Sequence, residues 1–272
     1  MSNVLVMYHA RCTDGFCAAW IAKKVFKDAQ FYAAHFGEEP PDVTGKEVFI
    51  LDFSYKRSTM LALKSKAKSL TLLDHHVTAQ DDLKGLHFCN FDMEKSGAGL
   101  TWHYFSHWIY PHLVPFFNEP APWLVEYVQD RDLGRHVLPK TKEVSAVIFS
   151  YPFEFCLWDK LAAKSLEEVQ KEGEPILRYQ EQAANDLASY AREVNLDGYK
   201  VFAVNTSIMN SDVGCKLIKD RPFAVVWFQR EDGKYVYSLR SCGKVDVSKV
   251  AVNHGGGGHP KAAGFISNEL IF

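Results

Sequence analysis

The chain has 272 residues, 47% of them hydrophobic, enough to bury the core of one large domain or two compact ones. Lys and Arg number 31 against 33 Asp and Glu, a net charge of −2. That balance excludes a broad basic surface for duplex DNA and leaves room for a small anion held locally.

Residues 2–8 read as a strand, and residues 15–24 as a helix with small residues where it would lie on a sheet. Strands follow at 30–34 and 48–51, then an amphipathic helix at 56–68 and a strand at 70–73. This β-α-β-β-α-β rhythm predicts an α/β fold, a mostly parallel sheet with helices on both faces. An aromatic-rich helix is expected over 97–110, and residues 125–129 read as a strand, with a helix as the alternative. Residues 153–192 are helical and charged, with Leu161, Leu166, Val169, Ile176, Leu177 and Leu187 along one side, and are expected to connect two halves. After Asn195-Leu196-Asp197-Gly198, strands at 200–205, 223–229 and 235–240 and a helix at 211–219 predict a smaller α+β domain, with a hairpin turn at Asp232-Gly233. No apolar run approaches the roughly 20 residues of a membrane span, and residues 1–3 lead into a strand without a basic signal-like segment. The six cysteines (Cys12, Cys17, Cys89, Cys156, Cys215 and Cys242) form no CxxC pair and read as reduced thiols. A cytoplasmic protein without a membrane partner is expected.

Chemistry gathers where the strands end. The first strand delivers His9 and then Asp14, the one at 48–51 delivers Asp52, and the one at 70–73 delivers Asp74-His75-His76. The stretch 125–129 leads to Asp130 and Asp132. The carboxyl edge of an open α/β sheet is where such folds place their ligands. Mixed Asp and His suits a pair of divalent ions, the carboxylates favouring Mn²⁺ and Mg²⁺ and the imidazoles favouring transition metals. Such a pair deprotonates a bridging water and clamps phosphoryl oxygens, which is what phosphate-ester hydrolysis needs at neutral pH. Asp52, at the end of a central strand, is the best placed to bridge.

Asp74-His75-His76, with His9 and Asp14-Gly15 upstream and Gly255-Gly256-Gly257-Gly258-His259 near the end, resembles the DHH/DHHA1 phosphoesterase superfamily over residues 9–265. The resemblance implies a DHH catalytic domain (1–152), a helical linker (153–195) and a DHHA1 substrate-binding domain (196–272), with the active site in the cleft between. It also implies a Mn²⁺-dependent phosphodiesterase or phosphatase holding one or two ions. The family includes single-strand exonucleases, hydrolases of short oligoribonucleotides, cyclic-dinucleotide phosphodiesterases and nucleoside bisphosphate phosphatases. Carried over by position, His9 would bind the first metal and Asp14 the second. Asp52 would bridge, and His75 and Asp130 would complete the second site, with Asp132 the rival to Asp130. Asp74 and His76 would orient ligands or contact the phosphate.

The family's Asp-x-Asp-Gly becomes Cys12-Thr13-Asp14-Gly15 here, one residue closer to His9. Cys12 is either a soft ligand drawing Zn²⁺, Fe²⁺ or Ni²⁺, with the alternative of a weak first site, or a small apolar filler. In the tail, Gly255 to Gly258 fits a loop whose amides approach a ligand oxygen, and Pro260 to Phe265 reads as a short helix that could hold phosphate at its start. Ser238-Leu239-Arg240-Ser241 matches the family's Ser-x-Arg-Ser strand end, so Ser238, Arg240, Ser241, Gly256, Gly257, Gly258 and His259 are the expected substrate contacts, with His254 a weaker one.

Trp102, Tyr104, Phe105 and Trp108 at helical spacing read as core or as a contact in a homodimer, and His103 and His107 as helix-surface residues. Without a basic channel interleaved with aromatics, a short substrate is favoured: a short single-stranded oligoribonucleotide, a linear or cyclic dinucleotide, or a nucleoside bisphosphate. The rivals are an exopolyphosphatase or pyrophosphatase, against which the glycine-rich tail argues, and a nucleotide sensor that has lost turnover through Cys12.

Overall fold

A computed structural model describes residues 3–109 and 121–272, with side chains described at 3–106 and 121–272. Tyr110 and the side chains of His107 and Trp108 lie outside the described residues. The chain divides into two compact units, Met1–Leu177 and Arg178–Phe272.

The first unit opens with β1 (Val4–His9), α1 (Thr13–Val25), β2 (Gln30–Ala34), β3 (Glu47–Leu51), α2 (Arg57–Lys66) and β4 (Ser69–Asp74), the rhythm read from the sequence. A further crossover, α3 (Val77–Asp82) and the short edge strand β5 (Cys89–Phe91), follows. The sheet has the order β2-β1-β3-β4-β5 with every pair parallel. Side chains alternate between its faces. Val6, Phe49, Leu51 and Leu73 pack against α1 and later helices, whereas Leu5, Met7, Val48, Ile50, Leu70 and Leu72 pack against Met60 and Leu63 of α2 and Leu83. Both faces are therefore covered, as a parallel sheet requires. From β1 the chain winds outward to β2, and from β3 it winds the other way to β4 and β5. The winding reverses between β1 and β3, the point at which such sheets open a crevice at their carboxyl ends.

Register places the chemistry. Tyr8 pairs with Leu51, and Leu51 with Leu73. The next residues, His9, Asp52 and Asp74, therefore leave three adjacent strands at one level.

Among the described residues the helices α4 (Gly97–Ile109), α5 (Trp123–Asp132), α6 (Thr141–Ser150), α7 (Phe155–Ala162) and α8 (Leu166–Ser189) follow. The strand read at 125–129 is in fact within α5, since buried Leu124, Val125, Tyr127 and Val128 recur at helical rather than alternating spacing. Trp102 and Phe105 are buried in the core, Tyr104 packs against it, and His103 is exposed. Trp158, Leu161 and Val169 of α7 and α8 belong to the first unit's core, whereas Ala184 and Leu187 pack in the second. The helices read as a linker are thus built into the two units.

The second unit contains β6 (Arg192–Leu196), β7 (Tyr199–Asn205), α9 (Asn210–Ile218), β8 (Ala224–Gln229), β9 (Tyr235–Arg240), α10 (Val247–Asn253), β10 (Gly257–His259) and β11 (Ala262–Ser267). Its sheet has the order β10-β11-β9-β8-β7-β6; β7 and β8 are parallel, joined through α9, and the other pairs are antiparallel. The tail departs from the sequence reading. Residues 260–265 are not a helix but a turn leading into β11, and the second half of the glycine run is β10, paired Gly257 to Gly264 and His259 to Ala262. Alternation decides it: Ala263 and Phe265 are buried on one face, with Phe265 stacked on Tyr237 at 4.7 Å. Among the described residues no helix is long and apolar enough to cross a membrane. All six cysteines are free thiols.

Candidate metal centre

Asp52 is the hub. It follows β3 in a left-handed conformation (φ 55°), is only 1% exposed, and its amide donates to Leu73 O at 2.9 Å. Such a backbone in a non-glycine residue costs about 1–3 kcal/mol and persists where the surroundings enforce it. The two carboxylate oxygens face different neighbours. Oδ2 lies 3.6 Å from His9 Nδ1 and accepts from the Cys12 thiol at 3.5 Å. Oδ1 lies 3.2 Å from His75 Nε2.

His75 Nε2 in turn lies 3.6 Å from Asp14 Oδ2 and 3.5 Å from Asp132 Oδ2. His75 and Asp14 are buried, whereas the Asp132 side chain keeps 30% exposure and forms the open side of the group. Asp14 is anchored by the start of α4, where Gly97 and Ala98 donate amides at 2.6 and 3.0 Å, a helix terminus that favours an anion. Ser96 caps the same turn by accepting from Gly99 N at 3.2 Å.

Close backbone approach is required twice. A methyl group at Gly97 would sit 2.3 Å from Asp52 Cβ, and one at Gly15 would sit 2.5 Å from His9 O. The sequence reading did not include Ser96 or Gly97; the run of small residues Ser96-Gly97-Ala98-Gly99 opening a helix was the available signal.

Asp74 holds the histidine pair. It accepts from the His75 amide at 2.7 Å, the His76 amide at 3.3 Å, His76 Nδ1 at 2.7 Å and the Ser54 hydroxyl. Its role is thus to fix backbone and ring orientation. Ser54 was not foreseen.

The carboxylate beside His75 is Asp132, not the favoured Asp130. Asp130 accepts from the amides of Val137 and Leu138 at 3.0 and 3.3 Å and from the Thr141 hydroxyl, and so organises the turn between α5 and α6. Two residues apart on a helix, the two side chains cannot face the same way.

The charge balance asks for a cation. Burial and the charges of Asp52 and Asp132 push the Asp14 carboxyl well above the usual range. Burial also pulls the His75 imidazole down, but Asp52 by hydrogen bond and charge, then Asp14 and Asp132, outweigh it and raise the pKa to about 10. His76 is likewise lowered by burial and raised further by Asp74, with a net upward shift. Cys12 is pushed up by burial and by the neighbouring carboxylates. His9 Nδ1 and Asp52 Oδ1 are buried atoms without a hydrogen bond of normal geometry among the described residues. One donor atom each from His9, Cys12 and Asp52 lie within 4.8 Å of one another, and the same holds for Asp14, His75 and Asp132. Anionic oxygen, imidazole nitrogen and sulfur gathered in this way, with Asp14, Asp52 and His75 buried, fit divalent ions.

In the second unit the substrate candidates share part of one sheet. Arg240 pairs with Ala262 and Ala262 with His259, which sets Arg240 and His259 in one row two strands apart. Ser238 pairs with Gly264 and Gly264 with Gly257 in the next row on the same face. Arg240 donates to Ser211 Oγ at 2.7 Å and to Leu239 O at 2.9 Å, and lies against Gly214 of α9. Gly256 meets Gly264 O and Phe265 where a side chain would not fit, and Gly258 has φ 136°. Ser241 is buried and bonded to Pro222 O and the Gly243 amide, so it shapes the turn after β9. His254 stacks on Phe265 at 4.4 Å and bonds Asp197 at 3.0 Å, a packing position.

Residues 199–270, β7 to the end of the second sheet, match the DHHA1 domain family. An uncharacterized protein of Acanthamoeba polyphaga mimivirus is 30% identical over 295 residues, which span 96% of this chain and 66% of that protein. Among solved structures, RecJ from Thermus thermophilus in complex with Mn²⁺ is similar with TM-score 0.54 at 14% identity, over 96% of this chain and 49% of RecJ. The pGpG-specific phosphodiesterase PggH from Vibrio cholerae has TM-score 0.50 at 14% identity, over 97% of this chain and 92% of PggH. Residues 199–270 thus carry a DHHA1 domain, and the fold shared with these structures over nearly the whole chain supports placing it with the DHH/DHHA1 phosphoesterases.

Two outcomes follow from the geometry. Gly97→Ala should weaken Mn²⁺ binding by about 10- to 100-fold, because the added methyl displaces Asp52; calorimetry with unchanged affinity would show that Asp52 tolerates the shift. Without metal, the folded His75 has a pKa of about 10 against 6.5 for an unperturbed imidazole. Its stabilising contribution is complete below pH 6.5 and is lost as pH rises through about 10. Chelator-treated protein should therefore lose Tm from pH 6.5 to 10, and His75→Asn should lose less; equal losses would show that His75 does not hold that proton.

Proposed function

We propose that the chain is a metal-dependent phosphoesterase that hydrolyses short nucleotides: oligoribonucleotides of a few residues, linear or cyclic dinucleotides, or a nucleoside bisphosphate. The observation that carries this is the Asp52 carboxylate, each oxygen facing its own set of metal-competent donors at the carboxyl edge of the sheet. The DHHA1 match and the resemblance to the DHH/DHHA1 phosphoesterases support the reaction class. The similar folds are those of a phosphodiesterase specific for pGpG and of RecJ, solved with Mn²⁺.

His9, Cys12 and Asp52 would hold one ion, and Asp14, His75, Asp132 and Asp52 the other. Divalent ions there would supply an activated water and offset charge on the phosphoryl oxygens. The protein's share is rigidity. The left-handed backbone of Asp52 and the Gly97 contact fix the bridging carboxylate, the α4 amides fix Asp14, and Asp74 clamps His76. His76, so oriented, is the candidate to contact the phosphate. Within the second unit, Arg240, steadied by Ser211, and His259 in the same row are the candidates to hold a phosphate. A net charge of −2 favours a short substrate over a long polyanion.

Asp52→Asn should reduce Mn²⁺-supported hydrolysis to background across a panel of dinucleotides, cyclic dinucleotides, nucleoside bisphosphate and polyphosphate, with the fold retained by circular dichroism. Wild-type turnover of polyphosphate alone would replace nucleotides as the substrate, and retained activity in the variant would remove Asp52 from the site. Arg240→Ala should raise KM far more than it lowers kcat; an unchanged KM would restrict Arg240 to its bond with Ser211.

A further inference from the structure

The donors around Asp52 fall into two chemically unlike halves. On the Oδ2 side stand a sulfur and an imidazole, Cys12 Sγ at 3.5 Å and His9 Nδ1 at 3.6 Å. On the Oδ1 side stands His75, with the carboxylates of Asp14 and Asp132 about its Nε2. Cys12 does not stand alone: His9 Nδ1 beside it is a buried atom without a normal hydrogen bond among the described residues, Asp52, which faces both, is 1% exposed, and one donor atom of each of the three lies within 4.8 Å of the others. Phe36 and Phe53 pack on the His9 ring at 5.2 and 5.9 Å. A soft sulfur donor favours a thiophilic ion, whereas an oxygen-rich set favours Mn²⁺ or Mg²⁺.

We propose that the two halves take different metals: a thiophilic ion such as Zn²⁺ or Fe²⁺ bound by His9, Cys12 and Asp52, and Mn²⁺ or Mg²⁺ bound by Asp14, His75, Asp132 and Asp52. The Cys12 thiol releases its proton to solvent as the metal–sulfur bond forms. The proposal rests on the phosphoesterase reading for the existence of an ion pair, and goes beyond it in assigning unlike ions to the two halves.

Chelator-stripped full-length protein titrated with Co²⁺ provides the test, since cobalt–thiolate bonds absorb by charge transfer in the near ultraviolet. That band is expected in the wild type, lost in Cys12→Ser and kept in Asp132→Asn. A second measurement needs no variant: alkylation of Cys12 by iodoacetamide, mapped by mass spectrometry, should slow several-fold with Zn²⁺ and not with Mg²⁺. Cobalt bound without the band, a band that survives Cys12→Ser, or alkylation indifferent to Zn²⁺ overturns the assignment. Mn²⁺-dependent hydrolysis in a chain lacking the band would overturn the sulfur ligand alone. A band in a chain that hydrolyses no phosphoester would overturn the functional reading and leave the ligand in place.

Discussion

Three carboxylates, Asp14, Asp52 and Asp132, are gathered around one imidazole at a sheet edge, and the rest of the first unit depends on holding them there. Burying even one unpaired carboxylate costs of order several kcal/mol, and two of these three are almost wholly buried. The fold tolerates the cluster through fixed donors. Amides at the start of α4 serve Asp14, and the His9 and His75 imidazoles stand 3.6 and 3.2 Å from the oxygens of Asp52. In the metal-free chain a protonated His75 supplies the missing positive charge. A bound cation can supply it instead, and deprotonation of His75 and metal binding are then two sides of one equilibrium.

The scaffold delivers these groups by simple rules. Parallel strands in register bring His9, Asp52 and Asp74 out at the same level, and the reversal of winding between β1 and β3 opens the edge there. Two glycines, Gly15 and Gly97, let helices approach His9 and Asp52 more closely than any side chain would permit. The second unit uses a different device. Its antiparallel strands β9, β11 and β10 align Arg240 with His259 through Ala262, and glycine at 257 and 264 keeps the neighbouring row flat.

Much of this was legible in the residues. Short apolar runs ending in Asp or His marked β1, β3 and β4 and their chemical ends, because strands buried on both faces read as continuous apolar runs. The order of the first six elements followed from the same pattern. What escaped detection depends on contacts distant in sequence. Asp130 and Asp132 are indistinguishable by type, and only the helical phase of α5 turns one toward His75 and the other toward Thr141. The tail misled because Pro260 suits a first helical position and Ala262 and Ala263 favour a helix locally, and pairing with β9 overrode that propensity to make residues 262–267 a strand. Ser54 and Ser96 act through single hydrogen bonds that leave no periodic trace.

The central claim is that the carboxylate of Asp52 joins two cation sites. Anomalous diffraction from crystals soaked in Co²⁺ tests it most directly. The account predicts two cobalt peaks, one bonded to each oxygen of Asp52, the first shared with His9 and the second with His75. A single peak distant from Asp52, or none at all with the fold intact, would contradict it.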